Sequence, residues 1–164
     1  MDSLPVDRSS AERLLLGTDQ ITVLATCAQT NDALFAVEVR MPPGGGPPVM
    51  HQHDPGEIYY VLEGTFTFYV GHPGNPEDVR RVTATAGDVV PLAGGTPHTV
   101  RNDSTADAVA FVVHAPGAPM ENFSRAAVRL AAETDGAPSM DSALTVAAQH
   151  RIKLLGPIPN QLTG

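Results

Sequence analysis

The chain is poor in cysteine and in basic residues, and both shortages restrict where it can act. Its one cysteine, Cys27, cannot form a disulfide within the chain, so we expect a reducing, cytoplasmic environment. The chain contains ten lysines and arginines and 18 aspartates and glutamates, which gives a formal charge of −8. A chain this acidic, without a basic stripe, is a poor partner for nucleic acid or for anionic lipid. We therefore expect neither nucleic acid nor membrane among its partners.

Long apolar runs are also missing. None approaches the roughly 20 residues of a membrane-spanning helix, and charged residues between Asp2 and Arg13 interrupt any signal-peptide core. With 164 residues, of which 42% are hydrophobic, the chain has the size and composition of one globular domain. We interpret residues 1–164 as a single domain. Cys27 lies in an apolar stretch and is expected to be a small buried side chain rather than a nucleophile.

Turn-forming residues, by contrast, are abundant. Fifteen glycines and fifteen prolines divide the chain into short segments, a pattern typical of all-β sandwiches and barrels. We expect about eight or nine strands before residue 116, including 21–28, 34–41, 57–62, 65–70, 79–85, 88–92, 99–102 and 108–114. Segments 42–48 and 72–78 are predicted loops. Glu63-Gly64 is the predicted turn of a hairpin between strands 57–62 and 65–70.

Two short segments carry the candidate chemistry. His51 and His53 are two residues apart, so on a strand both side chains point to the same face and can aim at one point inside a barrel. Glu57 begins the following predicted strand and can add a carboxylate, and His98 comes from a distant strand. Imidazole and carboxylate together suit iron, nickel, copper, cobalt, manganese or zinc.

These two segments resemble the two motifs of the cupin superfamily. The first matches at every defining position: Gly45, His51, His53, Glu57 and Gly64. The second matches at Gly87, Gly95, His98 and Asn102. It departs at Ala93, where the family usually has proline, and this departure affects loop shape and not a ligand. The resemblance implies a small antiparallel jelly-roll barrel that holds one divalent transition metal ion. It also implies that the ligands are His51, His53, Glu57 and His98.

The other three histidines are expected to be structural. His72 lies in a predicted loop and should be solvated, and His150 has no partner in either motif. His114 ends a strand and could stand behind the metal ligands, but strand alternation alone leaves its face open. The barrel interior should be apolar, lined by Tyr59, Val61, Phe66 and Phe68, as suits a flat hydrophobic substrate.

The sequence changes character after Pro116. Apolar residues from Met120 to Ala132 repeat at helical spacing, with Glu121 and Arg125 placed as an ion pair. A second helix is predicted from about Asp141 to His150. We expect a barrel over about 20–116 and a helical tail over about 117–164. The barrel should place its ligands without the tail, which would either close the pocket as a lid or pack on the outer sheet or on a partner subunit.

A barrel followed by a short helical tail also resembles bacterial monocupins of the quercetinase-like group. This implies a small-molecule substrate that is aromatic or enolic, a dioxygenase activity, and Glu57 as a catalytic base. Three residues separate His53 from Glu57, whereas flavonol-cleaving members tend to have four, which counts against flavonol itself. Two alternatives stay open: a non-redox cyclase or isomerase of the polyketide type, in which the ion is a Lewis acid, and a small-molecule-binding protein without turnover. Because cupins commonly pair, a homodimer is expected.

Overall fold

The computed structural model describes residues 4–134, 140–160 and 162. Within them, eleven strands and three helices follow one another along the chain. The strands are β1 (Arg13–Leu16), β2 (Asp19–Ala25), β3 (Phe35–Met41), β4 (Val49–Gln52), β5 (Gly56–Glu63), β6 (Thr65–His72), β7 (Asn75–Thr85), β8 (Val89–Leu92), β9 (His98–Arg101), β10 (Ala108–Ala115) and β11 (Lys153–Pro157). The helices are α1 (Cys27–Thr30), α2 (Ala118–Glu133) and α3 (Met140–Gln149).

The strands form two sheets that face each other as a jelly roll. The first has the order β1-β2-β3-β10-β5-β8, and the second has the order β11-β4-β9-β6-β7. The strand pairs in both sheets are antiparallel. The predicted fold class, an all-β jelly-roll barrel with a short C-terminal helical extension, is confirmed.

The hydrophobic core lies between the two sheets. Val61, Phe66 and Phe68 are fully buried, and Tyr59 lies edge-on to Phe68 with ring centroids 5.1 Å apart. Tyr59 and Val61 come from the first sheet and the two phenylalanines from the second, because alternate residues of each strand point inward. The predicted interior residues therefore meet across the barrel.

The hairpin predicted at Glu63-Gly64 is wrong. β5 pairs with β10 and β8, whereas β6 pairs with β7 and β9, so the chain crosses from one sheet to the other at Gly64. Gly64 has a φ of 73°, a backbone conformation that only glycine adopts without strain. A tight turn and a sheet corner use the same residue types. The hairpin lies one connection later, where β6 and β7 meet around Gly74.

The predicted strand 21–28 is also too long at its C-terminal end. Thr26 caps the short helix α1: its hydroxyl accepts the Gln29 N–H at 3.3 Å, and the Gln29 side chain accepts the Thr26 N–H at 2.9 Å. This reciprocal capping box ends the strand and starts a helical turn. Cys27, the first residue of α1, is buried as expected.

The helical tail packs against the start of the chain. α2 contains the predicted helix 120–132, and α3 agrees with the helix predicted from about 141. Glu121 accepts the N–H of Cys27 at 2.7 Å and the guanidinium of Arg125 at 3.0 Å, so the predicted Glu121–Arg125 pair is confirmed. Arg125 also reaches Glu12 at 2.9 Å. Among the described residues, no helix combines the length and the apolarity needed to cross a membrane.

The end of the tail forms a strand that the sequence analysis did not predict. β11 pairs with β4, and the register places Leu154 opposite His51 and Lys153 opposite Gln52. The other neighbour of β4 is β9, with one paired position, His51 opposite His98. The tail, which was expected to be unnecessary for placing the ligands, therefore supplies the more extensive partner of the strand that carries His51.

Candidate metal centre

Three imidazole rings converge inside the barrel. His51 belongs to β4, His53 follows directly after β4, and His98 opens β9. The ring of His98 lies 4.5 Å from that of His51 and 5.1 Å from that of His53, measured between centroids. One ring nitrogen from each residue lies within 4.8 Å of the others. Three nitrogens at this spacing could hold a metal ion.

The hydrogen bonds of the three rings leave the correct nitrogen free for a metal. Each Nδ1 lies against a backbone carbonyl, at 3.3, 2.9 and 2.8 Å in His51, His53 and His98, and the carbonyls belong to Val49, Pro55 and Thr96 respectively. A carbonyl can only accept, so each Nδ1 carries a proton, and Nε2 is the nitrogen that each ring can turn to a metal. The Nε2 of His53 is buried and has no hydrogen-bond partner among the described residues. The donor set therefore fits a transition metal ion.

Glu57 borders this cluster from the opposite sheet. Its Oε1 lies 2.6 Å from His98 Nε2, and its Oε2 lies 3.8 Å from His53 Nε2. Among the described residues, the group whose ligand atoms converge consists of the three histidines and does not include Glu57. Burial raises the pKa of Glu57, but contacts from His114 and His98 outweigh this and hold the pKa well below its usual range. The carboxylate is therefore charged at neutral pH.

The surroundings of the three histidines also set their charge. Burial, together with the neighbouring His98, lowers the pKa of His51 to about 3. Burial likewise lowers the pKa of His53. Burial acts in the same direction on His98, but its contact with Glu57 outweighs burial and raises the pKa of His98. His51 and His53 are consequently neutral, as ligands must be.

His114 is the site residue whose position the sequence analysis left open. It is buried in β10 directly opposite Glu57 in β5, and its Nε2 lies 2.9 Å from Glu57 Oε2. A structural role was favoured for it, and a position behind the metal ligands was left open. Its inward direction agrees with the parity it shares with the buried Ala110 and Val112, but its contact with Glu57 depends on the pairing of β10 with β5.

The remaining histidines and the last motif residue lie outside the centre. His72 is exposed at the β6–β7 hairpin, as expected. His150 packs edge-on against Phe123 at 6.2 Å. Asn102 is fully buried and donates to the carbonyls of Met41 and Ala106 at 2.8 and 2.7 Å. This motif residue therefore holds a loop in place. The two hydrogen bonds that its side chain donates go to backbone carbonyls and not to the histidines.

A cavity of about 900 Å³ opens at the edge of the barrel between β6, β7 and β8. It reaches Leu92, which pairs with Glu57, and Thr96, which holds the ring of His98. None of the four predicted ligands lines it. The cavity thus borders neighbours of two predicted ligands and none of the ligands themselves.

Family and structural comparisons agree with this architecture. Residues 37–114 match the family model described as Cupin domain. These residues are therefore similar to the Cupin domain family, and the jelly-roll fold of the chain agrees with that similarity. No curated protein matches the chain by sequence.

Several solved structures share the fold. A predicted oxalate decarboxylase from Thermotoga maritima is 24% identical with a TM-score of 0.57, over 68% of this chain and 98% of that one. The polyketide cyclase RemF from Streptomyces resistomycificus is 19% identical with a TM-score of 0.59, over 70% and 80%. A Cupin 2 conserved barrel domain protein from Salinispora arenicola is 19% identical with a TM-score of 0.51, over 92% and 98%. At these identities the similarity establishes the fold and not the reaction.

Proposed function

We propose that this protein is a metal-dependent cupin oxidoreductase, a dioxygenase that acts on an aromatic or enolic small molecule. The observation that carries the proposal is the convergence of three imidazoles, from His51, His53 and His98, with the charged carboxylate of Glu57 at their border. These four residues would hold one divalent transition metal ion. When bound, such an ion polarises substrate oxygens and brings substrate and dioxygen together.

The residues around the ion would handle the proton of the substrate. Three neutral imidazoles and one carboxylate leave a net positive charge on a divalent ion, which attracts an enolate or phenolate oxygen. Glu57 is deprotonated and can accept the proton of an enolic hydroxyl. Tyr59, Phe66 and Phe68 form an aromatic cluster in the barrel interior, which would limit the access of water to the site.

The second candidate is a non-redox cyclase or isomerase. It is favoured by the position of Glu57 between two imidazoles, 2.6 Å from that of His98 and 2.9 Å from that of His114. A carboxylate so placed can move protons on a polarised carbonyl compound without any oxidant. The similar fold of the polyketide cyclase RemF is compatible with this candidate.

Dioxygen uptake separates these candidates. We expect the purified protein to contain about one transition metal ion per chain and to consume dioxygen with at least one member of a panel of catechols, flavonols and enols. Turnover that continues unchanged without dioxygen would identify the cyclase or isomerase. Saturable binding with no product from any compound would identify a binding protein. The His51→Ala/His98→Ala double variant should lose the metal and the activity, whereas His72→Ala, at an exposed histidine, should lose neither.

The expected homodimer is also a proposal, and we assign it to the outer face of the first sheet. Ile58, Tyr60 and Leu62 alternate along this face of β5 with exposures of 41%, 43% and 44%. Val89, 53% exposed, lies opposite Tyr60 in β8. Four large apolar side chains grouped on one sheet face are typical of a surface that a partner covers.

A further inference from the structure

We propose that His114 is a positioning residue that fixes which oxygen of Glu57 faces the metal centre. This inference rests on the proposed metal site. In the structure the two carboxylate oxygens of Glu57 have different neighbours. Oε2 lies 2.9 Å from His114 Nε2, and Oε1 lies 2.6 Å from His98 Nε2. Oε2 also lies 3.8 Å from His53 Nε2, so with Oε2 held by His114, Oε1 is the oxygen that lies closest to a convergent imidazole.

The register of the sheet brings His114 and Glu57 into contact. Phe35, His114 and Glu57 lie directly opposite one another on the adjacent strands β3, β10 and β5. Side chains opposite each other on neighbouring strands share a face and touch. The His114 ring stacks on Phe35, with centroids 5.9 Å apart and planes 23° apart. Phe35 is buried, so the imidazole of His114 packs against a phenyl ring on one side and contacts the Glu57 carboxylate on the other.

The tautomer distinguishes His114 from the three convergent histidines. In His51, His53 and His98 the Nδ1 donates to a carbonyl, so that Nε2 is the nitrogen left to bind a metal. His114 has the opposite arrangement. Its buried Nδ1 has no hydrogen-bond partner among the described residues, while its Nε2 meets a carboxylate. A charged carboxylate can only accept a hydrogen bond, so Nε2 of His114 carries the proton. His114 therefore donates to Glu57 and does not bind the ion through this nitrogen.

Burial makes this donor important. Glu57 and His114 are 7% and 8% exposed. A carboxylate removed from water needs donors to both oxygens, and when it loses one it moves to find another. Without His114, we expect the Glu57 side chain to turn and the fourth donor to leave its place beside the three imidazoles.

The test uses Co²⁺ added to the metal-free protein, read by affinity and by visible absorption. His114→Phe keeps a ring on Phe35 but removes the donor, and His114→Gln restores a donor near the same point. We expect His114→Phe to weaken Co²⁺ binding about 10- to 100-fold and to change the absorption spectrum as Glu57→Ala does. His114→Gln should return both readouts toward those of the unaltered protein. His72→Gln, at the exposed hairpin histidine, is the control and should change neither.

The double variant supplies the decisive comparison. If His114 acts through Glu57, then His114→Phe/Glu57→Ala binds Co²⁺ no more weakly than Glu57→Ala alone. Additive losses, or a His114→Phe variant with unaltered affinity and spectrum, would overturn the proposal. Complete loss of Co²⁺ in His114→Phe alongside retention in Glu57→Ala would also overturn it, because His114 would then be a ligand.

A metal-free measurement separates this inference from the proposed function. In the long-range ¹H–¹⁵N spectrum of the metal-free protein, His114 should carry its proton on Nε2, and Glu57→Ala should move that resonance. A proton on Nδ1 instead would refute the positioning role even if Co²⁺ binds. Conversely, a protein that binds Co²⁺ with the expected coupling but turns over no substrate would contradict the proposed dioxygenase and leave the role of His114 supported.

Discussion

Leu154 of β11 lies directly opposite His51 of β4. The strand that carries a predicted metal ligand is thus paired along its length with a strand from the C-terminal tail. On its other side, β4 meets β9 at one position, His51 opposite His98. The strand that carries the His51 imidazole therefore pairs with residues about a hundred positions further along the chain.

Removal of β11 should weaken the metal site. Deletion of residues 153–164 leaves β4 with its single pairing to β9, and we expect metal affinity to fall by about tenfold or more, as when a ligand loses an outer partner. Chelator competition measures the change. Deletion of residues 158–164, which keeps β11, is the matched control. Unchanged affinity in the longer deletion, with the fold intact by circular dichroism, would show that β11 does not support His51.

Glu57→Gln should separate metal binding from turnover. Glutamine has nearly the same shape and can still ligate through its amide oxygen, but it cannot accept a proton at neutral pH. We expect most of the metal to remain and kcat to fall about 100-fold or more. Elemental analysis and steady-state kinetics on the same preparation measure both. Equal losses of metal and activity would make Glu57 a plain ligand.

Cys27 should react slowly with thiol reagents in the folded protein. Burial, with help from the carboxylate of Glu121, raises the pKa of the Cys27 thiol to about 12. At pH 8 the reactive thiolate is therefore rare, and we expect labelling at least about 100-fold slower than in denaturant. The release of a chromogenic disulfide reagent gives both rates. Rapid labelling of the folded protein would mean that the N-terminal end of α1 opens readily.

Tyr60→Glu should produce a monomer. The change places a charge at the centre of the apolar surface formed by Ile58, Tyr60, Leu62 and Val89, and burial of an unpaired charge is costly. Light scattering should give the mass of two chains for the unaltered protein and of one chain for the variant. Leu15→Glu, at another exposed leucine on β1, should stay dimeric. Dissociation of Leu15→Glu instead would assign the dimer contact to the other edge of the sheet.

Much of the barrel could be predicted because strand alternation has a short, local signature. His51 and His53 share a face through a separation of two residues, and Phe66 and Phe68 do so in the same way. The structure brings the two histidines together with His98 and buries the two phenylalanines. Such predictions need only the direction of each side chain along its own strand.

The larger errors concern which strands become neighbours. Glu63-Gly64 has the sequence of a hairpin turn, yet the chain passes from one sheet to the other at Gly64. Residues 153–157 form a short segment that contains glycine and proline, so their sequence does not predict a strand. They form one because they pair with β4. The role of His114 likewise depends on β10 lying beside β5, which alternation within β10 does not reveal. Long-range pairing is set by the packing of the whole barrel and leaves little trace in any one segment.

The pairing of β4 with β11 also has a consequence for biosynthesis. During translation, His51, His53 and His98 leave the ribosome well before residues 153–157. Until residues 153–157 emerge, β4 has an open edge, and an unpaired edge is prone to pair with other chains. We expect a nascent chain arrested before β11 to hold metal poorly, so that loading of the ion follows the emergence of β11 and does not guide the early folding of the barrel.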